Sequence, residues 1–135
     1  MFPPETRILI ADDMPTIREL LKSQLKAMGF KSIVEAADGE VALNILITSV
    51  SKGAPIELVI SDWNMPKLSG LDFLKQVRAS NDWKTLPFLL LTSESERDQV
   101  TEAILAGVSQ YIVKPFAPKI FEEKLKSVWV KHSKK

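Results

Sequence analysis

Five side chains in this sequence have the chemistry to hold a divalent cation and a phosphoryl group: the acids Asp12, Asp13 and Asp62, the hydroxyl of Thr92 and the ammonium of Lys114. Each follows a short apolar run. Arg7 to Ala11 leads into Asp12-Asp13, Leu58 to Ser61 into Asp62, Phe88 to Leu91 into Thr92, and Gln110 to Val113 into Lys114-Pro115. If these runs are parallel strands, their carboxyl ends converge on one edge of a sheet, where ligands bind in open α/β folds. Three carboxylates gathered there repel one another unless a cation is present or a pKa rises. Magnesium suits such a site, because it takes hard oxygen ligands and is held by one or two carboxylates together with water and phosphate oxygens. The expected ligands are Asp13 and Asp62 directly, Asp12 through water, and a backbone carbonyl near Asn64.

A carboxylate is also a competent nucleophile towards phosphorus, giving an aspartyl phosphate. Asp62 is the expected acceptor. Lys114 and the cation would neutralise the transferred group while the Thr92 hydroxyl donates a hydrogen bond to it. Taken singly, these residues have plainer readings: an acid after a strand is often a helix N-cap, a Thr at a strand end a turn residue, and a Lys before Pro a solvated cation. What favours chemistry is that four such signals fall at the same kind of position. Tyr111 alone reads as a half-buried strand aromatic with a wet hydroxyl. His132 reads as an inert member of a charged tail, and Trp83 and Trp129 as packing residues.

The elements that must position these groups alternate along the chain. After the first strand, Pro15 suits an opening helical turn, and Ile17, Leu20, Leu21, Leu25 and Met28 recur at helical spacing until Gly29 offers a left-handed cap. Ser32 to Ala36 reads as a second strand. Asp38-Gly39 is turn chemistry, and Val41, Ala42, Ile45 and Leu46 mark a second helix that fades into Thr48 to Pro55, the expected longest loop. Leu71, Leu74 and Val77 mark a third helix, Val100, Ala103 and Ile104 a fourth closed by Gly107, and Phe121, Leu125, Val128 and Trp129 a fifth opened by Pro118. Strand and helix thus alternate five times, which predicts an α/β, doubly wound parallel sheet with right-handed crossovers. Placing the first and third strands side by side would bring the three acids together.

Composition sets the outer bounds. A chain of 135 residues, 45% hydrophobic and 26% charged, has room for one domain with a proper core. A net charge of +1 argues against a dedicated nucleic-acid or acidic-membrane binder. The absence of Cys removes disulfides and thiolate metal sites and fits a reducing compartment. Met1-Phe2-Pro3-Pro4 does not read as a secretory signal, and no apolar stretch has membrane-spanning length. A cytoplasmic protein is expected.

Beyond these residue-level readings, Ser61 to Pro66 (SDWNMP), Ala36 to Gly39 (AADG), Lys114 to Phe116 (KPF) and Glu122 to Leu125 (EEKL) resemble the receiver domains of two-component response regulators, and among them the single-domain chemotaxis receivers. The likeness covers essentially the whole chain. It implies one receiver domain over residues 1–135, with an ordered core of about 6–132, as a flavodoxin-like (βα)5 fold of strand order 2-1-3-4-5; that order comes from the resemblance and not from the alternation. It further implies that Asp12-Asp13 are the acidic pair, Asp62 the phosphorylated aspartate, Thr92 the switch hydroxyl, Tyr111 the rotameric aromatic and Lys114-Pro115 the lysine with a cis peptide bond. Asn64 and Glu94 resemble the pair that borders the attacking water in dephosphorylation. The implied cofactor is Mg2+, and the implied partners are a chemotaxis histidine kinase and a flagellar motor switch protein, with a phosphatase as a further partner. The resemblance implies a monomeric switch that catalyses only its own phosphorylation and dephosphorylation. Three features depart from it: a longer Thr48 to Pro55 loop, Met14-Pro15 where a bulky aromatic and a small polar residue are usual, and much of the fourth helix, although Gly107 to Gln110 is near the family pattern.

Other functions fit parts of this pattern. A phosphorelay receiver with a non-motor target would use the same site. A magnesium-dependent phosphatase with an aspartyl nucleophile also needs acids, a hydroxyl and a Lys, but calls for an Asp-x-Asp pair that Asp12-Asp13-Met14-Pro15 lacks. A flavin-binding module of the same fold would want a hydroxyl-rich phosphate loop where this chain has two acids.

Overall fold

The computed structural model describes residues 1–93 and 99–133. The elements run β1 (Arg7–Ala11), α1 (Pro15–Ala27), β2 (Ser32–Ala36), α2 (Gly39–Ser51), β3 (Leu58–Asp62), α3 (Gly70–Ala79), β4 (Phe88–Thr92), α4 (Val100–Leu105), β5 (Gln110–Val113) and α5 (Pro118–Ser133). The strands form one parallel sheet in the order β2-β1-β3-β4-β5. This is the flavodoxin-like order.

Because side chains alternate across a strand, the apolar runs divide between two cores. Leu9, Ala11, Val59, Phe88 and Leu90 meet Ala42 and Leu46 of α2, Phe73, Leu74 and Val77 of α3 and Ala103 of α4. Ile8, Ile10, Leu58, Ile60, Leu89, Leu91 and Ile112 meet Leu21 and Leu25 of α1 and Phe121, Leu125 and Val128 of α5. Both faces of β1, β3 and β4 are therefore buried, which is why their sequences are continuous apolar runs rather than alternating ones. Each fully buried Leu or Ile contributes roughly 1.5–3 kcal/mol, and this interior fixes the strand ends in place.

Local signals set the element boundaries. Asp38 caps α2 by accepting from the Val41 N–H at 2.9 Å, and Ser69 caps α3 by accepting from Asp72 at 3.1 Å. Gly29 and Gly107 follow α1 and α4 in left-handed conformations, φ +101° and +93°.

The loop expected over Thr48 to Pro55 is shorter than its sequence suggests. No Gly or Pro interrupts the chain before Gly53, so α2 continues to Ser51. Ser49 and Ser51 donate to the carbonyls of Leu46 and Ile47 one turn back, at 2.8 and 3.1 Å, and so remain helical. The connection over 80–87 is longer than that over 52–57. Residues 52–57 lie at the amino ends of the strands, where Pro55 accepts a hydrogen bond from Arg7.

Candidate functional site

The pairing of β1 with both β2 and β3 creates the crevice that the acids occupy. Ala11 is in register with Ser61, so the next residues, Asp12 and Asp62, leave neighbouring strands side by side. One carboxylate oxygen from each of Asp12, Asp13 and Asp62 lies within 4.8 Å of the others. Asp12 is fully buried, Asp62 nearly so at 5% exposure, and Asp13 faces solvent. Asp13 is not a helix cap: α1 starts from Met14, without a side-chain cap.

The backbone around each acid is held tightly. Asp12 donates its N–H to Ala36, accepts at its carbonyl from Arg18 Nη1 at 2.6 Å, and accepts at Oδ1 from the Met14 N–H at 2.9 Å. Its Oδ2 is buried and has no hydrogen-bond partner among the described residues. Burial pushes the Asp12 pKa up to about 6; the Met14 hydrogen bond opposes the rise, the charge of Asp62 adds to it, Lys114 opposes it and Asp13 adds to it. A buried carboxylate oxygen without a donor, beside two further acids, is the donor set that a hard divalent cation satisfies. These residues fit a metal ion.

Asp62 is placed by the turn that follows it. The Trp63 N–H donates both to Leu91 O and to Asp62 Oδ1, and the Gly70 N–H returns to Trp63 O at 2.7 Å. Gly70 comes so close that any Cβ there would collide with the Asp62 carbonyl. Between them Lys67 adopts φ +69°, a left-handed conformation unusual for a residue with a side chain. Trp63 and Met65 point into the α2/α3/α4 core, while Asn64 is exposed.

The cation comes from the far side. The Lys114 N–H is held by Thr92 O at 2.6 Å, and its Nζ lies 3.0 Å from Asp62 Oδ1 and 3.9 Å from Asp12 Oδ2. The Lys114-Pro115 peptide is cis. Thr92 is buried, and its hydroxyl donates to Ile112 O over a long 3.5 Å. Tyr111 is half-buried, with Lys124 Nζ 5.1 Å above its ring centroid. Asp12, Asp13, Asp62 and Lys114 thus come together, with Thr92 at the neighbouring strand end. Glu94 lies outside the described residues.

Sequence reasoning missed several positioning groups. Arg18, Trp63 N–H and Gly70 hold the acid-bearing backbone, and of these only Gly70, in a Ser-Gly pair before a helix, carries a sequence signal. It also misjudged His132, which is half-buried with Nε2 2.5 Å from Ser109 Oγ. The spacing Phe121, Leu125, Val128, His132 continues the buried stripe of α5, because the helix persists through the charged tail. Trp83 and Trp129 are packing residues, the latter edge-on to Phe2 with ring centroids 5.2 Å apart.

Residues 8–126 match the response regulator receiver domain. The chain belongs to this receiver family. It is 43% identical over 123 residues to the chemotaxis protein CheY-3 of Vibrio cholerae, an overlap of 91% of each chain. It is 41% identical to the chemotaxis protein CheY of Pseudomonas aeruginosa, over 91% of this chain and 95% of that one. Among solved structures, the receiver resembles the chemotaxis response regulator CheY4 of V. cholerae with a TM-score of 0.78 and 32% identity, covering 92% of this chain and 98% of that one. It also resembles a response regulator receiver domain protein of Clostridium thermocellum with a TM-score of 0.82 and 25% identity, covering 95% and 97%. Receivers of this kind are phosphoacceptor switches that work with histidine kinases and downstream targets, and this chain falls in that class. No helix among the described residues is long and apolar enough to cross a membrane.

Proposed function

We propose that this receiver accepts a phosphoryl group on Asp62 from the phosphohistidine of a chemotaxis-type histidine kinase, in a magnesium-dependent reaction, and signals to a flagellar motor switch protein. The observation that carries the reading is the juxtaposition of Asp62, Asp12, Asp13 and Lys114 at adjoining strand ends. An Asp62 oxygen attacks phosphorus, the P–N bond breaks, and the imidazole of the donor leaves and takes up a proton. Asp12, Asp13, Asp62 and the backbone carbonyl at Asn64 would hold Mg2+, which when bound supplies positive charge to the equatorial phosphoryl oxygens. Lys114 would supply a second charge, its Nζ 3.0 Å from Asp62 Oδ1. By the family resemblance, Asn64 and Glu94 are the residues assigned to the later dephosphorylation of the acyl phosphate.

The output is a shift between two conformations that differ in affinity for the target. Moving such an equilibrium from 1:99 to 99:1 takes about 5.5 kcal/mol of differential interaction. Among the described residues the Thr92 hydroxyl is held by a 3.5 Å bond to Ile112 O, a weak tie that a phosphoryl oxygen can replace. Tyr111, one residue earlier on β5, follows it inward, changing the surface of α4, β5 and α5. Chemotaxis output is supported by the similarity to CheY proteins of two organisms.

Beryllofluoride on Asp62, standing in for the phosphoryl group, should tighten binding of a motor-switch peptide several-fold, and Thr92→Ala should bind beryllofluoride yet lose most of that gain. Asp62→Asn should accept no phosphoryl group from acetyl phosphate. Equal peptide affinity with and without beryllofluoride would remove the motor switch as the target. Stable labelling of Asp62→Asn would remove Asp62 as the acceptor.

A further inference from the structure

At the amino ends of β4 and β5, the edge of the sheet away from Asp62, a cavity of about 400 Å³ opens between the end of α3, the turn before β5 and the end of α5. Arg78, Lys84, Lys131 and His132 line it together with the hydroxyl-bearing Thr85 and Ser109, and no Asp or Glu contributes to its wall. Among the described residues, no carboxylate lies within 4.0 Å of Arg78, Lys84 or Lys131, and Arg78 differs in this from the other described arginines, Arg7 and Arg18, which pair with Glu57 and Glu35.

The charge of Arg78 is the informative one. Its guanidinium is partly buried and, among the described residues, makes three hydrogen bonds, all to neutral acceptors: Gly107 O at 2.8 Å, Trp83 O at 3.0 Å and Ser109 Oγ at 3.4 Å. Withdrawing a cation from water without a counter-charge is costly, and these bonds engage one N–H on each guanidinium nitrogen while leaving its charge unbalanced. A structural clamp on the α4–β5 turn accounts for Arg78 and for the contacts of Lys131 and His132 to that turn, but not for a third cation, Lys84, in the same wall. Lys131 Nζ rests on the carbonyls of Val108 and Ser109 at 3.4 Å each, contacts long enough to be exchanged for better ones. The local field is registered by His132, whose pKa is lowered first by burial and then by the charges of Arg78 and Lys131, against a hydrogen bond to the Thr85 backbone.

We propose that this cavity is an anion site for a tetrahedral dianion, either inorganic phosphate or the phosphate end of a small phosphomonoester. Its volume exceeds that of a bare phosphate, leaving room for a short organic group. Arg78 would present its remaining N–H groups as a planar fork, with the two lysines as mobile point charges and the hydroxyls as neutral donors. The site is independent of phosphorylation at Asp62. Tyr111 and Ile104 share its wall, so an occupant would lie against the same β5 and α4 segments that carry the proposed output.

The test uses the full chain with EDTA at fixed ionic strength, so that screening is constant and the acid cluster holds no metal. Sodium phosphate and glycerol phosphate are titrated separately, following the ring resonances of His132 and the amides of Ser109 and Gln110 by NMR. Saturable shifts and a raised His132 pKa are expected, because a bound anion favours the imidazolium. Tighter binding of glycerol phosphate would assign the phosphomonoester, and equal binding inorganic phosphate. The double variant Lys84→Gln/Lys131→Gln replaces two exposed side chains, and should keep the wild-type unfolding temperature while weakening binding by roughly tenfold or more. Absence of saturable shifts with either ligand would overturn the site. So would undiminished affinity in the double variant, or malonate binding as tightly as phosphate.

Discussion

Lys114 places its ammonium 3.0 Å from Oδ1 of Asp62, a residue 52 positions earlier in the chain, and 3.9 Å from Oδ2 of Asp12, which has no hydrogen-bond partner among the described residues. One cation thus stands between two buried acids. It offsets their repulsion in the metal-free protein and faces the position a transferred phosphoryl group would take.

Lys114→Ala should retain the fold, since the side chain packs no core, but should accept phosphoryl groups from acetyl phosphate at least about tenfold more slowly, the scale of losing one charge-assisted contact. Lys114→Arg should restore little of the rate, because a planar fork replaces a compact ammonium. Phosphorylation kinetics followed through Trp63 fluorescence would decide this, and wild-type rates in Lys114→Ala would remove the residue from the site.

The buried carboxyl of Asp12 sets a pH dependence with a definite sign. Its folded pKa of about 6 lies above the ordinary 3.8, so the folded protein binds this proton more readily than the unfolded chain. The resulting stabilisation is fully present below about pH 4 and is lost as pH rises through about 6. Magnesium, which needs the ionised form, should raise the unfolding temperature at pH 7–8 and have progressively less effect below pH 6. Asp12→Asn should unfold at a higher temperature than wild type at pH 7 without metal, and should lose most of the magnesium effect. Thermal unfolding across this range, with and without magnesium, measures both.

Gly70→Ala tests how the acid is held. Its Cβ would enter the space of the Asp62 carbonyl, which β3 and the Trp63 turn prevent from retreating. A loss of about 1–3 kcal/mol, the usual cost of forcing atoms into a packed region, is expected in urea unfolding. Because the displaced atom belongs to the proposed acceptor residue, acetyl phosphate reactivity should fall as well.

Lys67 offers the opposite outcome. Its φ of +69° costs a side-chain-bearing residue roughly 1–2 kcal/mol, which Asn or Gly largely avoids. Lys67→Asn should therefore raise stability by about 0.5–1 kcal/mol without the extra backbone entropy that Gly brings to the unfolded chain. Urea midpoints of the two variants side by side would show it.

The sequence by itself determined the elements and the inventory of the site. Continuous apolar runs such as Ile8-Leu9-Ile10 and Leu89-Leu90-Leu91 announce strands covered on both faces, and each ends at a residue that can do chemistry. Gly29 and Gly107 announce helix ends because few other residues tolerate the conformation they adopt. These signals are local, and a local pattern survives in one dimension. The end of α2 was misplaced because Thr48 to Ser51 are weak helix formers that become helical only when the helix has a sheet to pack against. The alternation of strands and helices is compatible with other orders; the family resemblance implies 2-1-3-4-5, and the tertiary structure realises it by setting β1 between β2 and β3, which converts three separated acids into one cluster. It also decided that Asp12 is buried with one oxygen lacking a donor, that Arg18 and Gly70 fix the acid-bearing backbone, and that Arg78, Lys131 and His132 share a cavity without an acid. Charge balance and desolvation depend on distances between residues far apart in the chain, and those distances exist only once the sheet has closed its order.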